Sequence, residues 1–171
     1  MGKKLNVTAV NSAAKKAYSM KRFHLEDNQG EVWDVDIDVM MDPNRVIDMV
    51  QNVIMLSAKI ADEDMSEVFD LEKHWTLLYF IEILKNYTNV EIKEKKTAEE
   101  TVIDYVTLFN SLGALGLVEK ITDCFNENAR RNTLERFTET LTQMSEFIVE
   151  ETERVVAEAE EVDVKAEEVA E

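Results

Sequence analysis

The chain has 171 residues, 45% of them apolar, enough for one domain with a real core and too apolar for disorder throughout. Four Gly and one Pro leave room for long uninterrupted helices. Net charge is −17, but residues 1–22 hold six bases and no acid, so the rest carries 13 bases against 36 acids, a net of −23 that repels nucleic acid and anionic lipid at range.

Residues 1–19 are small, polar and basic and read as a flexible arm, with LNVTAV a β-prone piece suited to an edge strand. MKRFHLEDNQGEVWDVDIDV then reads as a β-hairpin. Its strands cover about 20–25 and 31–39, joined by Asp27-Asn28-Gln29-Gly30, where Gly30 supplies a positive φ. Alternation in the second strand points Trp33, Val35, Ile37 and Val39 one way and Asp34, Asp36 and Asp38 the other.

The three aspartates copy the start of a Ca²⁺-binding EF-hand loop. Such a loop needs Gly at its sixth place and a bidentate Glu at its twelfth, and those places hold Val39 and Arg45. On an extended strand successive carboxylates also stand about 6.6 Å apart, too far to share an ion that wants oxygens at about 2.3–2.6 Å. General acid–base work needs carboxylates with opposed pKa values in a cleft, which an exposed stripe does not supply. The aspartates therefore read as the wet face of a half-buried strand, and they discourage edge-to-edge sheet growth.

Asp42 as N-cap and Pro43 at the first helical position start a helix of about 43–60. Val46, Ile47, Val50, Val53, Ile54 and Ser57 follow in it at helical spacing. ADEDMS breaks it, and a second helix runs over about 66–87 with Phe69, Leu77, Leu78, Ile81, Leu84 and Tyr87 among its apolar positions. TAEE at 97–100 is a capping box, opening a helix to about Leu112, where Gly113 fits the C-cap. A fourth helix covers about 115–128. The last starts near Asn132 or Thr133 and runs to about 156, before a fraying acidic tail over 157–171.

The predicted fold is mainly α: a bundle of about five helices with an N-terminal β-hairpin. A disordered basic N-terminal arm (1–19) and an acidic C-terminal tail (157–171) flank a single helical domain over 20–156.

In the last helix Leu134, Phe137, Leu141, Met144 and Ile148 step by 3, 4, 3 and 4, a narrow heptad seam that Glu151 interrupts and Val155 resumes. Such a seam packs on one long neighbour, within its own bundle or on a partner helix; spacing alone leaves both open. These five are the candidate partner-binding residues.

Chemistry-bearing sets do not read out. His24 lies on the first hairpin strand facing the acidic strand and reads as a hydrogen bond or ion pair. His74 sits beside Trp75, and neither His has a second His or Cys at ligand spacing. Cys124, near Val118, Ile121 and Phe125, reads as a buried inert thiol and excludes an intramolecular disulfide framework. Neither GxGxxG nor a phosphate loop occurs. No catalytic, metal or cofactor residues are expected, and the chain is not expected to be an enzyme. With no apolar run of ~18 residues and no apolar segment after the basic start, an intracellular soluble protein with no membrane partner is expected; the narrower setting, the cytoplasm of a bacterial host, is what the resemblance given next implies.

HWTLLYFIEILKNYTNVEI, a polar gap, YVTLFNSLGALGLVEKI and a long Glu-rich helix together resemble small structural-cluster proteins of bacteriophages of Gram-positive hosts. The hairpin-then-helices opening resembles siphophage tail assembly chaperones. The resemblance spans residues 20–150 by pattern and transfers no functional residues. It implies a virion-assembly role: chaperones of that type bind the tape measure protein, recruit tail-tube protein and are absent from the finished particle. The expected partners are thus other phage structural proteins, with a weak head-to-tail homo-oligomer favoured by ends of opposite charge. The second reading is an acidic DNA mimic or anti-defence protein that binds a host DNA-binding protein. That reading needs carboxylates fixed in rows, with Asp34, Asp36 and Asp38 among them.

Overall fold

The computed structural model describes residues 7–65, 69, 73–93 and 95–169. Helix α1 (Val7–Ala17) leads into a hairpin of β1 (Lys21–Glu26) and β2 (Val32–Ile37). A 3₁₀ turn over Pro43–Arg45 opens α2 (Val46–Asp62), followed by α3 (Trp75–Tyr87), α4 (Ala98–Ala114), α5 (Leu117–Asp123) and α6 (Glu127–Val169). The architecture is the predicted one, mainly helical with an N-terminal antiparallel hairpin.

The hairpin follows its alternation. Phe23 pairs with Val35, Leu25 with Trp33 and Lys21 with Ile37; Arg22 faces Asp36 and His24 faces Asp34 across the other side. Leu25, Val35 and Ile37 are buried, so one face closes the core. The turn is held by Asp27, whose Oδ1 accepts from the amides of Gln29 and Glu31 while Oδ2 accepts from the Trp33 indole at 2.9 Å. Those donors, the indole foremost, hold the Asp27 carboxyl below its ordinary range. Gly30 has φ +86°, as the turn requires. The end of α3 then pins β2 from the other edge: Thr88 bridges Ile37, the Asn89 carboxamide accepts from the Asp36 amide, and the Asp38 amide donates to the Tyr87 carbonyl.

Two residues of the alternation depart from it. The strand ends at Ile37, so Asp38 belongs to a turn and not to the wet face. It is fully buried, and its Oδ2 accepts from the Asp42 amide at 3.0 Å while its carbonyl accepts from Met41, which adopts φ +51°. Trp33 is 44% exposed, because its ring lies over the turn it bonds to and not in the core.

Asp42 and Pro43 start the next helical segment as expected; the Asp42 side chain accepts from the Asn44 amide, capping the 3₁₀ turn ahead of α2. Helix α2 is the central element and packs on α3, α4 and α6. Met49 and Val50 of α2, Ile81, Leu84 and Tyr87 of α3, and Phe137 of α6 meet with almost no exposure. Thr97 caps α4 through the Glu100 amide at 3.2 Å, and Glu63, just past the end of α2, accepts from the Ala98 amide on the same terminus. The Glu63 carboxylate ties α2 to α4 and has no local sequence signature.

Several boundaries move. The piece read as an edge strand belongs to α1, while residues 1–6 of the arm lie outside the described residues. Helix α3 begins at Trp75; residues 66–68 and 70–72 of the longer predicted helix lie outside the described ones. The left-handed residue closing α4 is Gly116 (φ +70°) rather than Gly113, which is helical. Helix α6 begins at Glu127, where Asn126 accepts from the Ala129 amide, and it continues to Val169, past the predicted end near 156.

Candidate interaction surface

Helix α6 has 43 residues, about 64 Å of helix, and its described side chains differ in burial along its length. Phe137 is fully buried, its ring 5.1 Å from Trp75 and 5.3 Å from Tyr79. Leu141 and Met144 are partly buried against the same core. Leu134 and Ile148, at the two ends of the seam, are 40% and 44% exposed. The five seam residues thus divide: the middle three pack in their own bundle and the outer two face solvent.

From Ser145 to Glu150 the side chains of α6 are exposed. Between α6 and the α2–α3 pair opens an apolar groove of about 690 Å³. Val53 and Leu78 form its buried floor, Ile54, Trp75 and Leu141 its walls, and Ile148 and Val149 its rim. Ile148 and Val149 stand 44% and 55% exposed on that rim, while Phe147, 62% exposed, projects about 200° around the helix from Val149. An exposed apolar rim on an apolar groove marks a surface for another macromolecule more than a solvated helix face. The heptad count found Ile148 but missed Phe147 and Val149, which break the period; the run FIV at 147–149 was the available signal.

The charged residues singled out in the sequence are engaged elsewhere. Arg22 binds Asp36 through two bonds, Nε to Oδ1 at 2.8 Å and a second nitrogen to Oδ2 at 3.0 Å. That hydrogen-bonded pair raises Arg22 and lowers Asp36 from their ordinary values. His24 Nδ1 lies 2.5 Å from Asp34 Oδ1, the cross-strand contact expected for it. His74 stacks on Phe69, ring centroids 4.3 Å apart. Cys124 is half-buried, with Sγ 3.2 Å from the Lys120 carbonyl oxygen, and burial pushes its thiol up, away from the reactive thiolate.

One buried polar cluster was not visible in the sequence. Glu82 is 3% exposed inside the α2–α3–α4 contact. It accepts from Asn52 at 2.7 Å, Lys85 at 3.1 Å and Asn86 at 3.1 Å. Burial raises the Glu82 carboxyl despite these donors. Burial lowers Lys85, but Glu82 and Tyr105 outweigh it and hold the ammonium above its ordinary value. Both carboxylate oxygens of Glu82 are satisfied, and the cluster joins α2 to α3 through Asn52 and α3 to α4 through Tyr105.

Among the described residues no group of three or more His, Cys, Asp or Glu side chains is placed to hold a metal ion. No single helix among them is long and apolar enough to cross a membrane; α4 and α5 reach the length together but are bent by 86°. No protein-family model, no curated protein and no solved structure matches this chain.

Proposed function

We propose that the chain is a non-enzymatic virion-assembly protein, of the tail assembly chaperone kind, which holds a helical segment of a tape measure or tail-tube component against α6. The observation that carries this reading is the α2–α3–α6 groove with its exposed apolar band at Ile148 and Val149. A groove of that width, apolar in its floor and walls, suits the apolar stripe of an amphipathic helix, with anchors at helical spacing filling it side by side. The acidic flanks of α6 then select against acidic partners and favour basic ones. Phage assembly itself rests on the sequence resemblance.

The DNA-mimic reading has less behind it. It needs fixed, free carboxylates in a row, and the hairpin offers Asp34 against His24, Asp36 bound by Arg22 and Asp38 buried.

The test is size-exclusion chromatography with light scattering of the full chain, alone and with helical fragments of tape measure protein or with tail-tube protein. A co-eluting complex that Ile148→Asp and Val149→Asp abolish, with unchanged circular dichroism, is expected. A chain that binds none of these components, or binds them equally well with the band made acidic, refutes the reading.

A further inference from the structure

The groove has a candidate occupant within the chain's own sequence. Helix α1 has 11 residues, below the ~12–15 at which an isolated helix becomes even marginal in water. Yet the side chains described for it, Thr8, Val10, Ser12, Ala13, Lys15, Lys16 and Ala17, are all exposed. Val10, Ala13 and Ala17, at helical spacing, leave an apolar stripe of α1 open to a further surface. Its Val and Ala positions are small, which lets a helix backbone approach closely, and at about 16 Å it is short enough to lie in the groove.

Charge selects between a groove on the same molecule and one on another. Residues 1–22 contain no acid, and Lys15 and Lys16 occupy the last turn of α1. Residues 144–171, from the groove outward, contain eleven acids and two bases. In its own molecule the end of α1 faces the start of α6, where Tyr18 lines a pocket with Asn128, Asn132 and Arg136. That end of α6 is basic, with Arg130, Arg131 and Arg136. It lies about 20 Å from the groove, thirteen helical residues from Asn132 to Ser145. In its own molecule α1 lends no residue to the lining of the groove; the α1 of another molecule can bring its two lysines beside Glu146 and Glu150, both exposed next to the groove.

We infer that the α2–α3–α6 groove receives the basic helix α1 of a second copy of this chain. The contact is head-to-tail, so each molecule offers one α1 and one groove, and the assembly grows into chains or closes into a ring. A helix this short buries less than the ~1,000 Å² of a durable interface, so the association is reversible and sensitive to salt. The inference uses the same groove as the proposed function and adds a competitor there: α1 shields the band until a partner helix displaces it.

Sedimentation velocity on the full chain over a range of concentrations tests this, at about 50 mM and about 500 mM salt. The sedimentation coefficient is expected to rise with concentration at low salt and to rise less at high salt. Lys15→Glu with Lys16→Glu is expected to weaken association about tenfold or more, since two attractions become repulsions. Glu146→Lys with Glu150→Lys is expected to do the same. All four positions are exposed, and circular dichroism checks that each variant folds. Mixing the two charge-reversed chains is expected to restore association. A chain monomeric at every concentration overturns the inference. So does association that survives lysine reversal, which indicates a pair of α6 helices, or reversed chains that fail to recover on mixing. Binding of the tape measure fragment by the lysine-reversed chain is a separate readout: its presence or absence bears on the proposed function and leaves the self-association result standing.

Discussion

Phe137→Ala and Ile148→Asp lie on the same seam of α6, eleven residues apart, and should behave oppositely. Phe137 has no exposed surface and its ring touches those of Trp75 and Tyr79. Truncation to Ala removes the transfer energy of the ring and leaves a cavity between α3 and α6, a loss of about 3–5 kcal/mol. The two aromatic contacts place it in the upper half of that range, each ring pair being worth about 0.5–1.5 kcal/mol beyond its buried area. Against a total stability of about 5–15 kcal/mol, the loss is large enough to leave some of the protein unfolded at ordinary temperature. Ile148 is 44% exposed at the groove rim, so Asp there should change stability by no more than about 0.5–1 kcal/mol. Urea titration followed by circular dichroism at 222 nm and by tryptophan emission reads both variants, Trp75 reporting on the α3–α6 contact. A Phe137→Ala loss under about 1 kcal/mol, or an Ile148→Asp loss equal to it, refutes the division of the seam into a packed middle and an open end.

Two further outcomes follow from the interior. At Gly116 (φ +70°) a Cβ falls 2.6 Å from the Asn28 side chain, so Gly116→Ala should cost about 1–2 kcal/mol in thermal or urea unfolding. Gly113 has open space around its Cβ position and lies within α4, so Gly113→Ala should be neutral or stabilising by up to about 1 kcal/mol. Lys85→Met leaves Glu82 buried with only Asn52 and Asn86 as donors and should cost about 3 kcal/mol at pH 7. Because the Glu82 carboxyl is raised by burial, the folded chain takes up its proton before the unfolded chain does; stability tied to this group is lost as pH rises through the folded value and recovered as pH falls. The gap between Lys85→Met and the parent, measured by urea titration, should therefore narrow from pH 7 to pH 5.

What the sequence made legible were features decided within a few residues. The turn Asp27–Gly30, the Arg22/His24 and Asp34/Asp36 face, the Asp42-Pro43 start and the Thr97 cap each rest on near neighbours, and all four stand in the structure. Period two placed Val35 and Ile37 inward, but it cannot tell where a strand stops; the turn at Asp38 begins one residue past Ile37 and reverses that carboxylate's environment. Gly113 and Gly116 both fit a helix end by composition, and the choice was made by contact between Leu115 and Asn28 of the hairpin turn. The Glu63 bond to α4 and the Glu82–Lys85 pair join residues that only folding brings together. The seam of α6 was legible as a period, and which of its members are covered was not, because that depends on where α2 and α3 end beside it.

The central claim is that this chain acts by receiving a helix on the open end of the α6 seam. A photo-crosslinking residue at position 148, compared with one at Asn110 on the exposed side of α4, tests it most directly during expression with the tail proteins. Position 148 should give a covalent product with a tail component or with residues 7–17 of a second copy, and position 110 should give neither. Equal products at the two positions, or none at 148, would contradict the account.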